Sequence, residues 1–201
     1  MLFRSGAWLL HFSTDYVYDG THPGTRKETE LPAPVSMYAR TKVEGEQEVL
    51  AATQGAALIA RVSWVFGPDR PSFPDQMIEQ AKTGAALSAV DDKFSMPTSA
   101  LDLCQWLEPF VDGDHRTTGG IVNFCQAGPP VSWQTYGQTT LDLAVSLGIR
   151  LRTRHVEGCP LATMTAFKAA RPIHTTMDHQ KLADLLGAPP RPWADALRDY
   201  L

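Results

Sequence analysis

The sequence predicts an α/β chain in which buried parallel strands alternate with helical crossovers, and three observations carry that prediction. A short apolar run over residues 8–12 ends abruptly in Ser13-Thr14-Asp15, as a buried parallel strand does when it delivers hydroxyls to the carboxyl edge of a sheet, where open α/β sheets bind ligands. Helical periodicity then begins near Tyr38. A second apolar run over residues 57–66 ends at Gly67-Pro68. Strand, helix and strand in that order make one right-handed crossover unit.

Taken in order, the loop over residues 21–37 carries Pro23, Pro32 and Pro34 and cannot be helical throughout. The helix over 38–53 draws its apolar positions from Val43, Val49 and Leu50, with Glu44, Glu46 and Glu48 expected in solvent and Gln54-Gly55 as its stop. Arg61, embedded in the second strand, reads as a structural ion-pair partner rather than a phosphate clamp. Residues 71–84 form a loop entering a helix, with Phe73, Met77, Ile78 and Ala81 at core spacing. A short strand over 87–90 leads to the turn Asp91-Asp92-Lys93, whose adjacent carboxylates diverge and lack a third metal ligand. Thr98 or Ser99 caps the next helix, with Asp102 in its first turn and Leu101, Leu103, Leu107 and Phe110 on its apolar side. After a polar loop over 112–120, a third buried strand spans 120–125, with Cys125 as a small core residue. Ser132 or Thr135 opens a helix to Leu147, stopped by Gly148. Residues 149–156 read as a strand, and 163–169 as helix or loop. Thr176-Met177-Asp178 begins a helix to Leu186, stopped at Gly187, and Trp193, Leu197 and Leu201 pack the last helix. His174 and His179 are five apart and miss the spacing that would put two ligands on one helix face, so no metal is expected.

Composition narrows the class. Length suits one domain, or a domain and a half, with enough residues for a buried core. A net charge of −4 gives no electrostatic case for nucleic acid or an anionic membrane. No apolar run approaches the roughly 18 residues of a membrane span, and the first six residues are too short and poorly patterned for a signal peptide. Cys104, Cys125 and Cys159 form neither a disulfide framework nor a metal spacing, which fits a reducing cytoplasm.

The candidate chemistry lies at Tyr38 and Lys42. Four residues apart on a helix, a phenol and an ammonium share one face. A free phenol, with a pKa of about 10, is a poor acid or base at neutral pH, and a neighbouring ammonium favours the phenolate. A hydroxyl from Ser13 or Thr14 can hold a substrate carbonyl while Tyr38 exchanges its proton, an arrangement suited to reducing a ketone with hydride from a nicotinamide. With five tyrosines in the chain, a Tyr-x-x-x-Lys arises by chance roughly 0.15 times. The spacing alone is therefore weak, and its position after a strand ending in Ser-Thr-Asp gives it weight.

Ser13-Thr14-Asp15-Tyr16-Val17-Tyr18-Asp19-Gly20, followed by Pro34-x-x-x-Tyr38-x-x-x-Lys42-x-x-Gly45-Glu46, resembles the extended short-chain dehydrogenase/reductases, and within them the dTDP-4-dehydrorhamnose reductase branch. Further matches follow in order at Arg61-Val62-Ser63-Trp64-Val65-Phe66-Gly67, Pro97-Thr98-Ser99-Ala100-x-Asp102-Leu103, Ala170-Arg171-Pro172 and Pro192-Trp193-x-x-Ala196-Leu197. The resemblance implies the carboxyl half of a Rossmann-type parallel-sheet domain with an interwoven small α+β substrate-binding domain. Residues 1–67 and 96–127 would build the former, and 68–95 and 128–201 the latter, partly by segments that cross back. It implies Tyr38 as proton donor, Lys42 as the group that lowers its pKa and holds the nicotinamide ribose, and Thr14 as the orienting hydroxyl. Asp15, Tyr16 and Trp64 would face the sugar, while Ser13, Tyr38, Lys42 and Ser63 would contact NADP or NAD. An alternative reading of Trp64 is a core or interface tryptophan. Two departures stand out: Ala39 follows the tyrosine where glycine is frequent, and Ser95-Met96 precedes Pro97 where glycine is common.

No Gly-x-Gly-x-x-Gly occurs in the chain, whereas the family carries its glycine-rich loop well upstream of the Ser-Thr-Asp block. The expectation is a chain that starts late, near the end of a helix preceding the family's fifth strand, with about four strand–helix units absent. Such a chain exposes an apolar strand edge and is expected to be poorly soluble, self-associated as a homo-oligomer, or stabilised only by the absent N-terminal portion. The leading function is NAD(P)H-dependent reduction of a nucleotide-linked 4-keto-6-deoxy sugar, inactive in the truncated chain. Alternatives are a non-catalytic binding or regulatory subunit, a non-functional fragment, and a nucleotide-sugar epimerase or dehydratase.

Overall fold

The structure, a computed structural model, describes residues 8–112, 115 and 118–201. The strands are β1 (Leu10–Thr14), β2 (Leu58–Val62), β3 (Val65–Phe66), β4 (Leu87–Val90), β5 (Phe94–Ser95), β6 (Thr98–Ser99), β7 (Gly120–Asn123), β8 (Val131–Ser132) and β9 (Val156–Cys159). The helices are α1 (Met37–Ala52), α2 (Phe73–Thr83), α3 (Ala100–Val111), α4 (Trp133–Ser146), α5 (Gln180–Leu186) and α6 (Trp193–Tyr200).

The central sheet has the order β1-β2-β7 and is parallel throughout, with Thr14 opposite Val62 and Arg61 opposite Asn123. Parallel strands need covered faces. Leu58, Ala60, Val122 and Phe124 pack against Leu103, Leu107 and Phe110 of α3, and α5 crosses back to add Leu182. On the outer strand β1, Phe12 is 44% exposed. A second apolar cluster joins α2, α4, β4 and β9 through Met77, Ile78, Ala81, Leu87, Leu141 and Val156. A third, rich in aromatics, links Tyr18, Phe66, Met96, Tyr136, Trp193 and Leu197. The two-stranded pairs β3-β6 and β4-β9 are parallel, and β5-β8 is antiparallel.

The helix boundaries follow from local chemistry. Ser36 caps α1 by accepting from the Ala39 N–H, Ser99 caps α3 and Ser132 caps α4, each satisfying an orphan donor of a first turn. Gly84 and Gly187 end α2 and α5 in the left-handed conformation.

Several expectations fail in instructive ways. The strand expected over 57–66 stops at Val62, because Trp64 adopts φ +41° and turns the chain, so Val65–Phe66 pairs with Thr98–Ser99 instead. The strand expected over 149–156 begins only at Val156. The Arg152 and Thr153 N–H groups donate to the Ala81 carbonyl at the end of α2 (3.0 and 3.1 Å) rather than to a ladder. The last-but-one helix starts at Gln180, not Thr176, because residues 176–178 are extended and exchange hydrogen bonds with Arg26. Leu101 is 52% exposed rather than core. Glu46, expected in solvent, is buried. The Arg61 Nε and Nη2 donate to its two oxygens at 2.9 and 2.6 Å, and Nη1 donates to the Tyr18 hydroxyl at 2.8 Å. Burial works against the Arg61 charge, and the Glu46 bonds outweigh it, raising the guanidinium above its ordinary value. Lys93, read as part of a surface turn, is fully buried while Asp91 and Asp92 are exposed. The loop expected over 112–120 lies partly, and the first six residues wholly, outside the described residues.

Candidate active site at the carboxyl edge of the sheet

β1 ends at the sheet edge and turns at once into a 3-10 turn, Asp15–Val17. Thr14 starts that turn: its Oγ1 accepts from the Tyr16 N–H (3.3 Å) and donates to Asp15 Oδ1 (3.1 Å). The other Asp15 oxygen accepts from Ser95 Oγ (2.8 Å) and Thr175 Oγ1 (2.5 Å). Asp15 is thus a buried knot joining the strand end to β5 and to the segment around Thr175.

A cavity of about 460 Å³ opens here. Ser13, Thr14, Asp15 and Tyr16 line it from the first strand end, Ser63 and Trp64 from the second. Ser36 and Tyr38 reach it from the start of α1, and residues 169–171 roof it. Among the sequence-nominated residues, Lys42 alone is absent from this lining. Its Nζ donates to the Phe12 carbonyl (2.6 Å), one residue before Ser13, and so ties α1 to β1. Ser63 Oγ is likewise occupied, donating to the Met96 carbonyl (2.6 Å). Among the described residues, Ser13 Oγ and Trp64 Nε1 are buried without a partner.

Tyr38 is 55% exposed and meets Tyr16 edge-on, with ring centres 6.0 Å apart. Burial pushes the Tyr16 phenol above its ordinary value and Asp15 adds to the rise, while Arg171, whose Nη1 donates to the Tyr16 hydroxyl at 2.8 Å, opposes it. His11 on β1 is shifted down by burial and then by Lys42.

Three features escaped the sequence reading. A left-handed backbone at a bulky residue such as Trp64 costs about 1–3 kcal/mol and clusters at functional sites. It sets the indole between the main cavity and a second, aromatic one of about 300 Å³ lined by Phe66, Phe73, Trp133 and Tyr136. Lys93 lies behind the cavity wall, its Nζ 4.8 Å from the Tyr16 ring centre and 5.8 Å from that of Trp64. Gly20, at φ +67°, supports the roof segment so closely that a Cβ there would lie 2.6 Å from the Ile173 nitrogen. No sequence pattern signals the first two, since each depends on residues far away along the chain.

The arrangement places hydroxyls and a phenol where a polar ligand oxygen could accept protons, in a partly enclosed cleft. The unpartnered Ser13 hydroxyl and the accessible Tyr38 phenol also fit the nicotinamide end of a dinucleotide.

Comparison with known proteins gives a consistent picture. The chain is 32% identical over 200 residues to a dTDP-4-dehydrorhamnose reductase of Aggregatibacter actinomycetemcomitans, covering 98% of this chain and 67% of that protein. Among solved structures it superposes on a dTDP-4-dehydrorhamnose reductase of Clostridium acetobutylicum with a TM-score of 0.85 and 28% identity, covering 99% of this chain and 66% of that one. A Bacillus anthracis dTDP-4-dehydrorhamnose reductase in complex with NADP gives 0.83 and 26%, covering 97% and 65%. The chain therefore shares their Rossmann-type α/β fold and spans about two thirds of their length. The model of the RmlD substrate binding domain matches residues 3–201, and the chain belongs to that family.

Proposed function

We propose that the chain carries the substrate site and proton-transfer residues of an NADP- or NAD-dependent reductase acting on dTDP-4-dehydrorhamnose or a closely related 4-keto sugar nucleotide. The observation that carries this reading is the convergence of the Thr14 hydroxyl, the unpartnered Ser13 hydroxyl and the Tyr38 phenol on one cavity at the carboxyl edge of a parallel sheet.

In this reading the bound nicotinamide supplies hydride to the sugar carbonyl carbon. Tyr38 gives its proton to the carbonyl oxygen, and Lys42, one helical turn on, favours the phenolate left behind. Thr14 turns its proton from Asp15 Oδ1 to the same oxygen, while Asp15 stays hydrogen-bonded to Ser95 and Thr175 and keeps the strand end in place. Tyr16 and Trp64 provide the walls against the sugar, with Asp15 behind them. Ser13 and Ser63, with Tyr38 and Lys42, border the nicotinamide. Residues 1–67 and 96–127 serve the dinucleotide side and 68–95 and 128–201 the sugar side, with α5 crossing back. No described helix is long and apolar enough to cross a membrane, which accords with a cytoplasmic enzyme on a nucleotide-sugar route. Self-association through the β1 edge is the partner reading that accompanies it.

The test is turnover of dTDP-4-dehydrorhamnose with NADPH or NADH by the chain joined to a relative's glycine-rich dinucleotide-binding portion, followed at the nicotinamide absorbance. Tyr38→Phe should lower kcat by at least about 10²-fold, as removal of a general acid does. Unchanged turnover would take Tyr38 out of the mechanism, and no binding of any dTDP-linked hexose by calorimetry would overturn the substrate class.

A further inference from the structure

Lys93 lies between β4 and β5 with none of its surface exposed. Its Nζ donates to the Pro172 carbonyl at 2.8 Å and faces the rings of Tyr16 and Trp64. Both rings line the main cavity, and Pro172 continues the 169–171 roof. One ammonium therefore faces two walls and is hydrogen-bonded to the root of the roof. Lysines are seldom fully buried without an ionic partner, and among the described residues no carboxylate lies within ion-pairing distance of this one. Its charge is met by a carbonyl dipole and two aromatic faces.

We propose that Lys93 is a positioning residue of the cavity, its buried ammonium fixing the Tyr16 and Trp64 rings and tying the 169–172 roof down over them.

The surrounding charges make this interaction visible in solution. Asp15 and Tyr16 face Lys93 from the 3-10 turn, Arg171 and His174 from the roof segment, and the exposed Asp91 and Asp92 precede it in its own turn. Burial lowers the ammonium to about 8, Asp15 resists the shift and Arg171 adds to it. Tyr16 is shifted above 10.0 and His174 below 6.5, both away from pH 8. Around pH 8 the Trp64 indole thus loses a cation from its face.

The experiment is a pH titration of tryptophan emission on the chain itself, between pH 6.5 and 9.5. The wild type should show a sigmoidal change with a midpoint near 8. Lys93→Met should abolish it, and Trp64→Phe should abolish it while leaving Lys93 in place. Lys93→Arg, charged throughout, should hold the low-pH spectrum across the range. A midpoint that survives in Lys93→Met or Trp64→Phe overturns the proposal, as does a Lys93→Arg spectrum identical to that of Lys93→Met. A second measurement rests on the proposed function: Lys93→Met should bind a dTDP-linked hexose at least about tenfold more weakly at pH 7, where 1.4 kcal/mol is a factor of ten. Failure of the wild type to bind that ligand counts against the proposed function alone, and the emission titration then decides the role of Lys93.

Discussion

Two buried cations divide this molecule into a part that is fixed and a part that is poised. Arg61, beneath α1, has both oxygens of Glu46 and the Tyr18 hydroxyl as partners. Lys93, behind the cavity, has a single carbonyl and two ring faces. Burial opposes both charges. The carboxylate outweighs it at Arg61, which stays charged at any ordinary pH, whereas at Lys93 burial prevails and brings the ammonium to about 8. The same physical cost thus yields a permanent strut in one place and a titratable contact in the other, according to whether an opposite charge is supplied.

The contrast can be broken at either end. Glu46→Ala leaves Arg61 buried without its counter-ion and should destabilise the chain by about 3–5 kcal/mol, read as a lower urea midpoint at constant m-value. Replacing the pair together, Glu46→Leu with Arg61→Met, should recover most of that loss, because the two desolvation costs vanish with the two charges. Thr175→Val removes one donor from the Asp15 knot and should cost about 1.5–3 kcal/mol, the range for a hydrogen bond to a charged group. Lys93→Met should change stability at pH 7 by only about 1 kcal/mol, because the loss of the Pro172 bond is offset by removal of a buried charge.

The pH dependence sharpens the comparison further. The folded Lys93 has a lowered pKa, so between about 8 and its ordinary 10.5 the unfolded chain binds more protons than the folded one. Stability should therefore rise with pH across that window, from the Lys93 contribution, and Lys93→Met should flatten the rise. Arg61→Met should leave this slope in place. A wild-type urea midpoint that falls steadily from pH 8 to 10.5 with the same slope in Lys93→Met would remove Lys93 from the account.

How far the sequence reaches is itself explained by these two sites. The strand ending in Ser13-Thr14-Asp15, the helix carrying Tyr38 and Lys42, and the glycine stop at Gly187 are legible, because each rests on contiguous residues obeying one local rule. Arg61 reads as an ion-pair member from its apolar surroundings, but its partner does not, since nothing in the helix period distinguishes Glu46 from Glu44 or Glu48 until β2 is laid alongside. Lys93 was hidden for a similar reason. Its shelter is assembled from residues 16, 64 and 172, and a turn of Asp-Asp-Lys looks polar wherever it lies. The break at Trp64 was hidden because a left-handed backbone at an aromatic residue contradicts local preference and survives only through surrounding packing. In the cavity, the nominated hydroxyls and rings sit together, while Lys42 points its amine at the Phe12 carbonyl and Ser63 its hydroxyl at that of Met96.

Gly20 carries a consequence of another kind. Because its missing Cβ is what lets the backbone of Ile173 and His174 come so near, headroom in the cavity depends on a residue that does not line it. A single methyl group introduced there would act as a shim, prising the ceiling upward from below while leaving every exposed functional group chemically intact.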